Sequence, residues 1–311
     1  SAPFAADATE PVRSWFKSLT HEHRVELDAH EEFQKQPVGV LLLGSVMKAV
    51  GDPDWAVMKT FAVGVPLGLG VELPRTPMVY PPKVKWSLRE QTEWGGASET
   101  AANFTGTTRK NYPSAVGFAS EVEAVFKEQV AEDQLLVLPF AEAKRRYGKR
   151  LTIASLAALQ KSVDDAGIVE VRVLHDGTNG VDVNRFICVR DGSTSPTAVD
   201  QKTCMRLQSD SGVPHFGLAV DVKGAHRIVV VRPHDWPLQA CQVRPGGSVY
   251  LNKRGTFGMS SAAYWWGRLV GGAHRAALWV LGPWLPLWVL LYADDFDVTG
   301  QGKNFARSIL A

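Results

Sequence analysis

Cysteine is scarce in this chain. Three occur in 311 residues, Cys188, Cys204 and Cys241, and they are too widely spaced to form a metal-ligand pattern. Their scarcity argues against a disulfide-built secreted scaffold and for a reducing, intracellular setting, cytoplasm or nucleus. A charge excess of one sign is missing too. The net charge is +2, too small to imply a nucleic-acid partner, so any basic surface must be local. No tandem repeat is visible. The glycine-rich run Gly64 to Gly70 lacks the spacing and the Lys of a phosphate loop, and it reads as a connector. A clean membrane-spanning run is also lacking. Residues 276–292 carry no charge over 17 positions, the short limit for a spanning helix, but Gly282, Pro283 and Pro286 interrupt them. The preferred reading is a helix end, a Pro-containing turn and a buried strand, with a membrane anchor as the weaker alternative. The sequence starts at Ser1 with no initiator Met and no signal peptide, and it stops at Ala311. Both ends therefore look cut from a longer chain.

What remains is 45% hydrophobic and 21% charged, the composition of a soluble globular protein. Its length suffices for two domains or one large one. Residues 1–134 read as a helical extension followed by a Pro- and Gly-rich linker. His21 and His23 flank Glu22, where an exposed helix surface is preferred over a metal site. Pro37 can open a helix that Gly51 ends, and Asp52-Pro53 repeats the start signal as N-cap and first helical residue, with Gly64 as the stop. Pro74, Pro77, Pro81 and Pro82, followed by Gly95, Gly96 and Gly106, predict an extended linker or loose wrapping arm over 74–118. Ser120-Glu121-Val122-Glu123 has the form of a capping box, with Val122, Val125, Phe126 and Val130 on one helix face.

From Leu135 onward the pattern changes. An apolar stretch is followed by Lys144, Arg145, Arg146, Lys149 and Arg150, five cations in seven residues. Such a run is either a solvated helix face or a grip on a phosphate backbone. Ile153 to Lys161 and Val169 to Leu174 enclose Asp164-Asp165-Ala166-Gly167, which predicts a hairpin. Asp191 to Lys202 is polar and reads as a loop.

The C-terminal third carries the chemistry. The apolar run Trp288 to Leu291 rises to Asp294 and Asp295, and the chain returns through Phe296 and Val298. This predicts two strands with the carboxylate pair at the tip. Two adjacent anions between apolar strands repel each other and lose hydration, a conflict that a divalent cation removes. Hard oxygen donors suit magnesium. For the pair alone, a solvated turn is the simpler reading. Upstream, another apolar strand ends in a single carboxylate, Asp221, followed by Val222, Lys223, Gly224, Ala225 and His226. Between the two lies Phe257-Gly258, then Ser260 or Ser261 as a helix cap, then Tyr264, Trp265 and Trp266, which suit core packing better than base stacking.

This order resembles the reverse transcriptase family, closest to LTR and tyrosine-recombinase retrotransposon enzymes. Asp221 matches the lone Asp of the first catalytic motif, Phe257-Gly258 the second motif, and Tyr292-Ala293-Asp294-Asp295 the Tyr-x-Asp-Asp box, with Asp221 and Asp294 lying 73 positions apart. The resemblance covers 135–311 and nothing before. It implies an α+β fold: right-hand polymerase fingers and palm, the palm an antiparallel split-βαβ sheet backed by helices, with no thumb before Ala311. It implies RNA-directed DNA polymerase activity on an RNA or DNA template with primer, using deoxynucleoside triphosphates, two Mg2+ ions (Mn2+ as a substitute) and no membrane. Asp221, Asp294 and Asp295 would be catalytic, and with Val222 would form the metal site. Lys161, Arg172, Gly224, Ala225, His226, Phe257 and Gly258 would contact the nucleotide. His226 takes the place where the family carries Tyr or Phe as the gate against a ribose 2′-hydroxyl. The basic residues 144–150 would grip nucleic acid. The alternative is a catalytically inactive retroelement fragment that only binds nucleic acid.

Overall fold

The computed structural model describes residue 14 and residues 38–89, 104–209, 212–281 and 287–302. His21, His23, Gly95, Gly96, Pro283 and Pro286 lie outside the described residues. In chain order the elements are α1 (Val40–Ala49), α2 (Met58–Ala62), α3 (Pro113–Gly117), α4 (Ala119–Ala131), β1 (Leu135–Leu138), α5 (Phe140–Tyr147), β2 (Ile153–Val163) and β3 (Val169–Asp176). There follow α6 (Ala198–Ser209), β4 (His215–Asp221), the single turn α7 (Ala225–Ile228), β5 (Ala240–Gln242), β6 (Val249–Asn252), α8 (Ser260–Leu281), β7 (Leu287–Tyr292) and β8 (Asp295–Gln301). The fold is mixed α and β, with one mixed five-stranded sheet and one antiparallel three-stranded sheet.

The chain separates into two compact units, each built from discontinuous segments. One comprises 1–62, 193–225 and 267–311, the other 63–192 and 226–266. The expected boundary at residue 134 falls inside the second unit, and the division between the units cuts α8 between 266 and 267.

The second unit is organised by the sheet β1-β6-β5-β2-β3, in which β2 and β5 run parallel and every other pair is antiparallel. Alternation along the strands feeds two cores. Leu135, Leu156, Ala158 and Val171 face α3 and α4, where Ala115, Val122 and Phe126 complete one cluster. Ile153, Val249 and Leu251 point the other way, against Ala143 of α5 and Leu151. Each large side chain sealed in these layers contributes on the order of 1.5–3 kcal/mol. The predicted linker is tied down where described. Arg109 N–H donates to the Ile153 carbonyl at 2.8 Å, and Ile153 N–H donates to Thr107 at 2.8 Å. The capping box is not formed, because α4 starts at Ala119 and places Ser120 inside its first turn. The loop expected over 191–202 ends early, since α6 begins at Ala198.

In the first unit, α1 and α2 pack on α8. A Cβ on Gly44 would lie 2.8 Å from Met58 Cβ, so only glycine permits this approach of α1. The expected helix start at Asp52-Pro53 shifts: the first helical turn begins at Trp55 with Asp54 as N-cap, and Asp52 instead accepts Asp54 N–H at 2.8 Å in the preceding turn. Its carboxylate also takes Arg275 Nε at 2.6 Å, while Arg268, 1% exposed, reaches Asp54 at 3.4 Å. Buried carboxylates thus meet buried guanidinium groups, the pairing that burial of charge requires. The three-stranded sheet has the order β4-β8-β7. The strand foreseen before the carboxylate pair is present, but half-buried rather than buried. Among the described residues no helix is long and apolar enough to cross a membrane.

Candidate active site

The carboxylates of the first and last motifs come together at one end of the three-stranded sheet. β7 and β8 form the hairpin, with Tyr292 opposite Asp295 and a two-residue turn of Ala293 and Asp294 between them. Ala293 sits at φ +55°, a left-handed conformation that costs a non-glycine residue about 1–2 kcal/mol. On the other side of β8, Asp221 lies directly opposite Asp295. Val222 N–H donates to the Asp294 carbonyl at 3.0 Å. That bond makes Asp221 and Asp295 a non-hydrogen-bonded pair, the narrow kind, with Cα atoms about 4.5 Å apart. Both side chains are exposed and lie on the same face. Like charges directly opposite destabilise a sheet, so this end of the sheet favours a cation.

Asp294 belongs to the turn rather than to the strand row, and its main chain, through the bond from Val222, joins the two motifs. Asp297 was not foreseen as a site residue. It follows Asp295 by two positions on β8 and therefore shares its face, opposite Ala219 and Leu290. Gln201 Nε2 of α6 donates to it at 3.3 Å. The alternation Asp295-Phe296-Asp297 was the available signal. Among the described residues, no three His, Cys, Asp or Glu side chains gather into a group that could hold a metal ion. Asp221 and Asp295, paired in the strand register, are oxygen donors of the kind magnesium takes, one or two carboxylates with water and substrate phosphates completing the shell.

Gly224, at φ +66°, and buried Ala225 continue from this end of β4 in the same unit. The other expected nucleotide contacts belong to the second unit. There the His226 ring meets Phe257 edge to face, with centroids 4.5 Å apart. A Cβ on Gly255 would lie 2.6 Å from the His226 carbonyl oxygen, so glycine lets the two segments close. Gly258, at φ +93°, presses its α-carbon against β3: a Cβ there would stand 1.6 Å from the His175 carbonyl oxygen. Glycine is thus required at 258 by packing, whatever else passes near. Asn184 fixes the same segment, donating to the Gly258 carbonyl at 2.6 Å and accepting Ser260 N–H at 2.8 Å. The cap expected from Ser260 or Ser261 is supplied by Asn184. Trp265 and Trp266 are buried as expected, and Trp265 Nε1 donates to Pro66 at 2.7 Å.

The hairpin β2–β3 forms with a bulge at Lys161. Lys161 Nζ pairs with Glu170 at 2.6 Å, and Arg172 is exposed on the same face as Glu170. The basic run divides. Lys144 and Lys149 are exposed, Arg145 makes a two-pronged pair with Glu142 at 2.8 and 2.7 Å, and Arg146 lies over the Tyr147 ring. Arg150 turns inward to Asp235 at 3.3 Å, and burial lowers the pKa of its guanidinium against the pull of Asp235. Asp235 is fully buried and also accepts Leu67 N–H at 2.9 Å and Arg232 Nε at 2.8 Å. Arg150 is therefore a structural residue.

His175 and Cys241 are buried titratable groups outside the expected site. Burial pushes the Cys241 thiol up to about 12, with Arg227 opposing, so it stays protonated and unreactive. His175 is held down at about 4, first by burial and then by the charge of Arg227, while Asp176 pulls the other way. Neither ring nitrogen of His175 has a hydrogen-bond partner.

No protein-family model matches the chain, and no curated protein is significantly similar to it.

Proposed function

We propose that this chain is the fingers and palm of an RNA-directed DNA polymerase. The observation that carries the reading is the narrow Asp221–Asp295 pair, tied by the Val222–Asp294 bond to the turn of the Tyr292-Ala293-Asp294-Asp295 box. It joins the first and last motifs of the resemblance at one sheet end, in the order in which they share the chemistry.

In this reading Asp221 and Asp295 would hold the divalent ions, and the main chain at Val222 and Asp294 keeps the two strands in register. Magnesium, when bound, would stabilise the attacking and leaving oxygens of an in-line displacement. Gly224 leaves room beside the phosphates, and its small turn can offer main-chain N–H groups to them. His226, braced by Phe257, fills the place of the sugar gate. Arg172, Lys144 and Lys149 are exposed cations of the second unit, the kind of charge that can contact phosphate. The reading is tested by extension of a labelled primer on RNA and DNA templates by the full chain, with Mg2+ or Mn2+. Asp221→Asn and Asp295→Asn should each abolish extension while primer–template binding persists. Binding without extension by the unmodified chain, in either ion, would leave only a nucleic-acid-binding module, and extension that survives Asp221→Asn would end the polymerase reading.

A further inference from the structure

The strand that ends at Asp221 forms an open edge of the three-stranded sheet. Among the described residues β4 pairs with β8 alone, in an unbroken register over His215–Asp221, and every residue of the strand is exposed. Because Asp221 and Asp295 are a narrow, non-hydrogen-bonded pair, the main-chain N–H and C=O groups alternate from there. Those of Asp221, Ala219, Gly217 and His215 point away from β8, toward the open edge. A regular edge of this kind is a template for another strand, and proteins usually guard it with Lys, Pro or a bulge. β4 contains none of these. One of its faces carries Phe216, Leu218 and Val220, which are 40%, 38% and 41% exposed. The other carries His215, Gly217, Ala219 and Asp221.

We propose that β4 pairs with β4 of a second copy of this chain, antiparallel about a two-fold axis at Leu218, joining the two three-stranded sheets edge to edge. The strand is complementary to its own reversal. Phe216 falls opposite Val220 of the second copy, an aromatic ring against a β-branched side chain. Gly217 falls opposite Ala219 of the second copy, small against small. His215 falls opposite Asp221 of the second copy, where an imidazole N–H can donate to the carboxylate. The hydrogen-bond phase agrees. In both of these last pairs the outward main-chain groups meet, while Leu218 meets its counterpart in a narrow pair at the axis. A slip of one residue would set outward groups against residues already bonded to β8 and would mix the two faces. A slip of two would part His215 from Asp221. The other edge, β7, carries no charged residue and offers these two no counterpart. The inference rests on the open edge and not on the polymerase reading.

The test is sedimentation velocity of the full chain over a concentration series, with disulfide trapping as a second readout. So short an edge is less than a standard interface, and a concentration-dependent dimer is expected. Ala219→Pro should abolish the dimer, because the N–H it removes faces the open edge and makes no bond to β8. Leu218→Lys should abolish it by setting two ammonium groups against each other at the axis. Leu218→Cys should be trapped as a dimer under mild oxidation, with the bridge mapped to position 218 by mass spectrometry. Cα atoms about 4.5 Å apart in a narrow pair lie within disulfide reach. Phe216→Cys, displaced along the strand from its own counterpart, should not be trapped. A chain that stays monomeric at every concentration, with no bridge at position 218, would overturn the pairing. So would a dimer that survives Ala219→Pro, or equal trapping of Phe216→Cys. Assemblies larger than a dimer would do the same, since they are the product of β4 pairing with β7 of the next copy.

Discussion

Acidification should destabilise the second unit through one buried imidazole. His175 is 4% exposed on β3, and neither ring nitrogen has a partner. Its pKa falls from 6.5 to about 4 in the folded chain, with burial the leading cause. A depressed histidine is neutral when folded, so between these values the unfolded chain binds the extra proton. Stability is therefore complete above pH 6.5, falls as the pH drops, and reaches its floor near pH 4. A shift from 6.5 to about 4 corresponds to roughly 3 kcal/mol at that floor. Asp176, next in the chain, acts in a lower window. Burial pushes it upward, but hydrogen bonds from Tyr112 and from the main chain of Asn179 and Thr178 hold it down at about 2, so its contribution is lost only below pH 4. His274 in the first unit is also lowered by burial and by Arg275, and it titrates in the same sense as His175. The assay must therefore isolate His175. Urea unfolding of the unmodified chain and of His175→Leu, each from pH 7.5 to 4, should give stabilities that converge or cross as the pH falls, with the variant gaining about 3 kcal/mol relative to the parent. Leucine forfeits no hydrogen bond at this position. Parallel pH profiles for the two proteins would refute the reasoning.

Other substitutions have outcomes set by the same geometry. Asp235→Ala should cost about 3–5 kcal/mol in urea unfolding, because it strands Arg150 and Arg232 and frees the Leu67 N–H. Gly258→Ala should destabilise the chain by more than about 2 kcal/mol, since it meets both a left-handed φ and the His175 carbonyl. A thermal scan checks this, and an unchanged midpoint would mean that the close approach to β3 does not form. His226→Ala should admit ribonucleotides in a primer-extension assay, while His226→Tyr should keep or sharpen the preference for deoxynucleotides. The Ala variant should also lose about 0.5–1.5 kcal/mol of edge-to-face contact with Phe257.

Local periodicity made much of the fold legible. The β7–β8 hairpin, the β2–β3 hairpin and the strand ending at Asp221 all follow from alternation and turn residues over short spans. The start signal at Asp52 was legible only in part, since Asp52 accepts Asp54 N–H in a turn and the helical turn begins at Trp55. What escaped depends on distant partners. Asp52 also meets Arg275, 223 positions away, and Asn184 caps a helix 76 positions downstream. The run of cations at 144–150 looked uniform because a linear sequence cannot show that Arg150 turns toward Asp235. The two units were hidden for the same reason, since each is stitched from separated segments.

The candidate site shows how far such legibility reaches. Asp221, Asp294 and Asp295 were chosen for their order along the chain, and the register gives them unequal stations. Asp221 and Asp295 face each other across strands, while Asp294 sits in the turn and accepts the Val222 N–H through its carbonyl. Asp297, on the face of Asp295, adds a further carboxylate that order alone did not mark. The register thus makes Asp221 and Asp295 the like-charge pair, and the main chain of Asp294 ties their strands together. Replacing Asp221 or Asp295 by Asn removes a charge from the narrow pair and should stabilise the metal-free sheet slightly, by roughly 0.2–1 kcal/mol. Asp294→Asn keeps its carbonyl and should leave that stability unchanged. A gain in stability from Asp294→Asn equal to that from Asp221→Asn would mean that all three carboxylates share one electrostatic cluster, and that the inequality argued from the register is wrong.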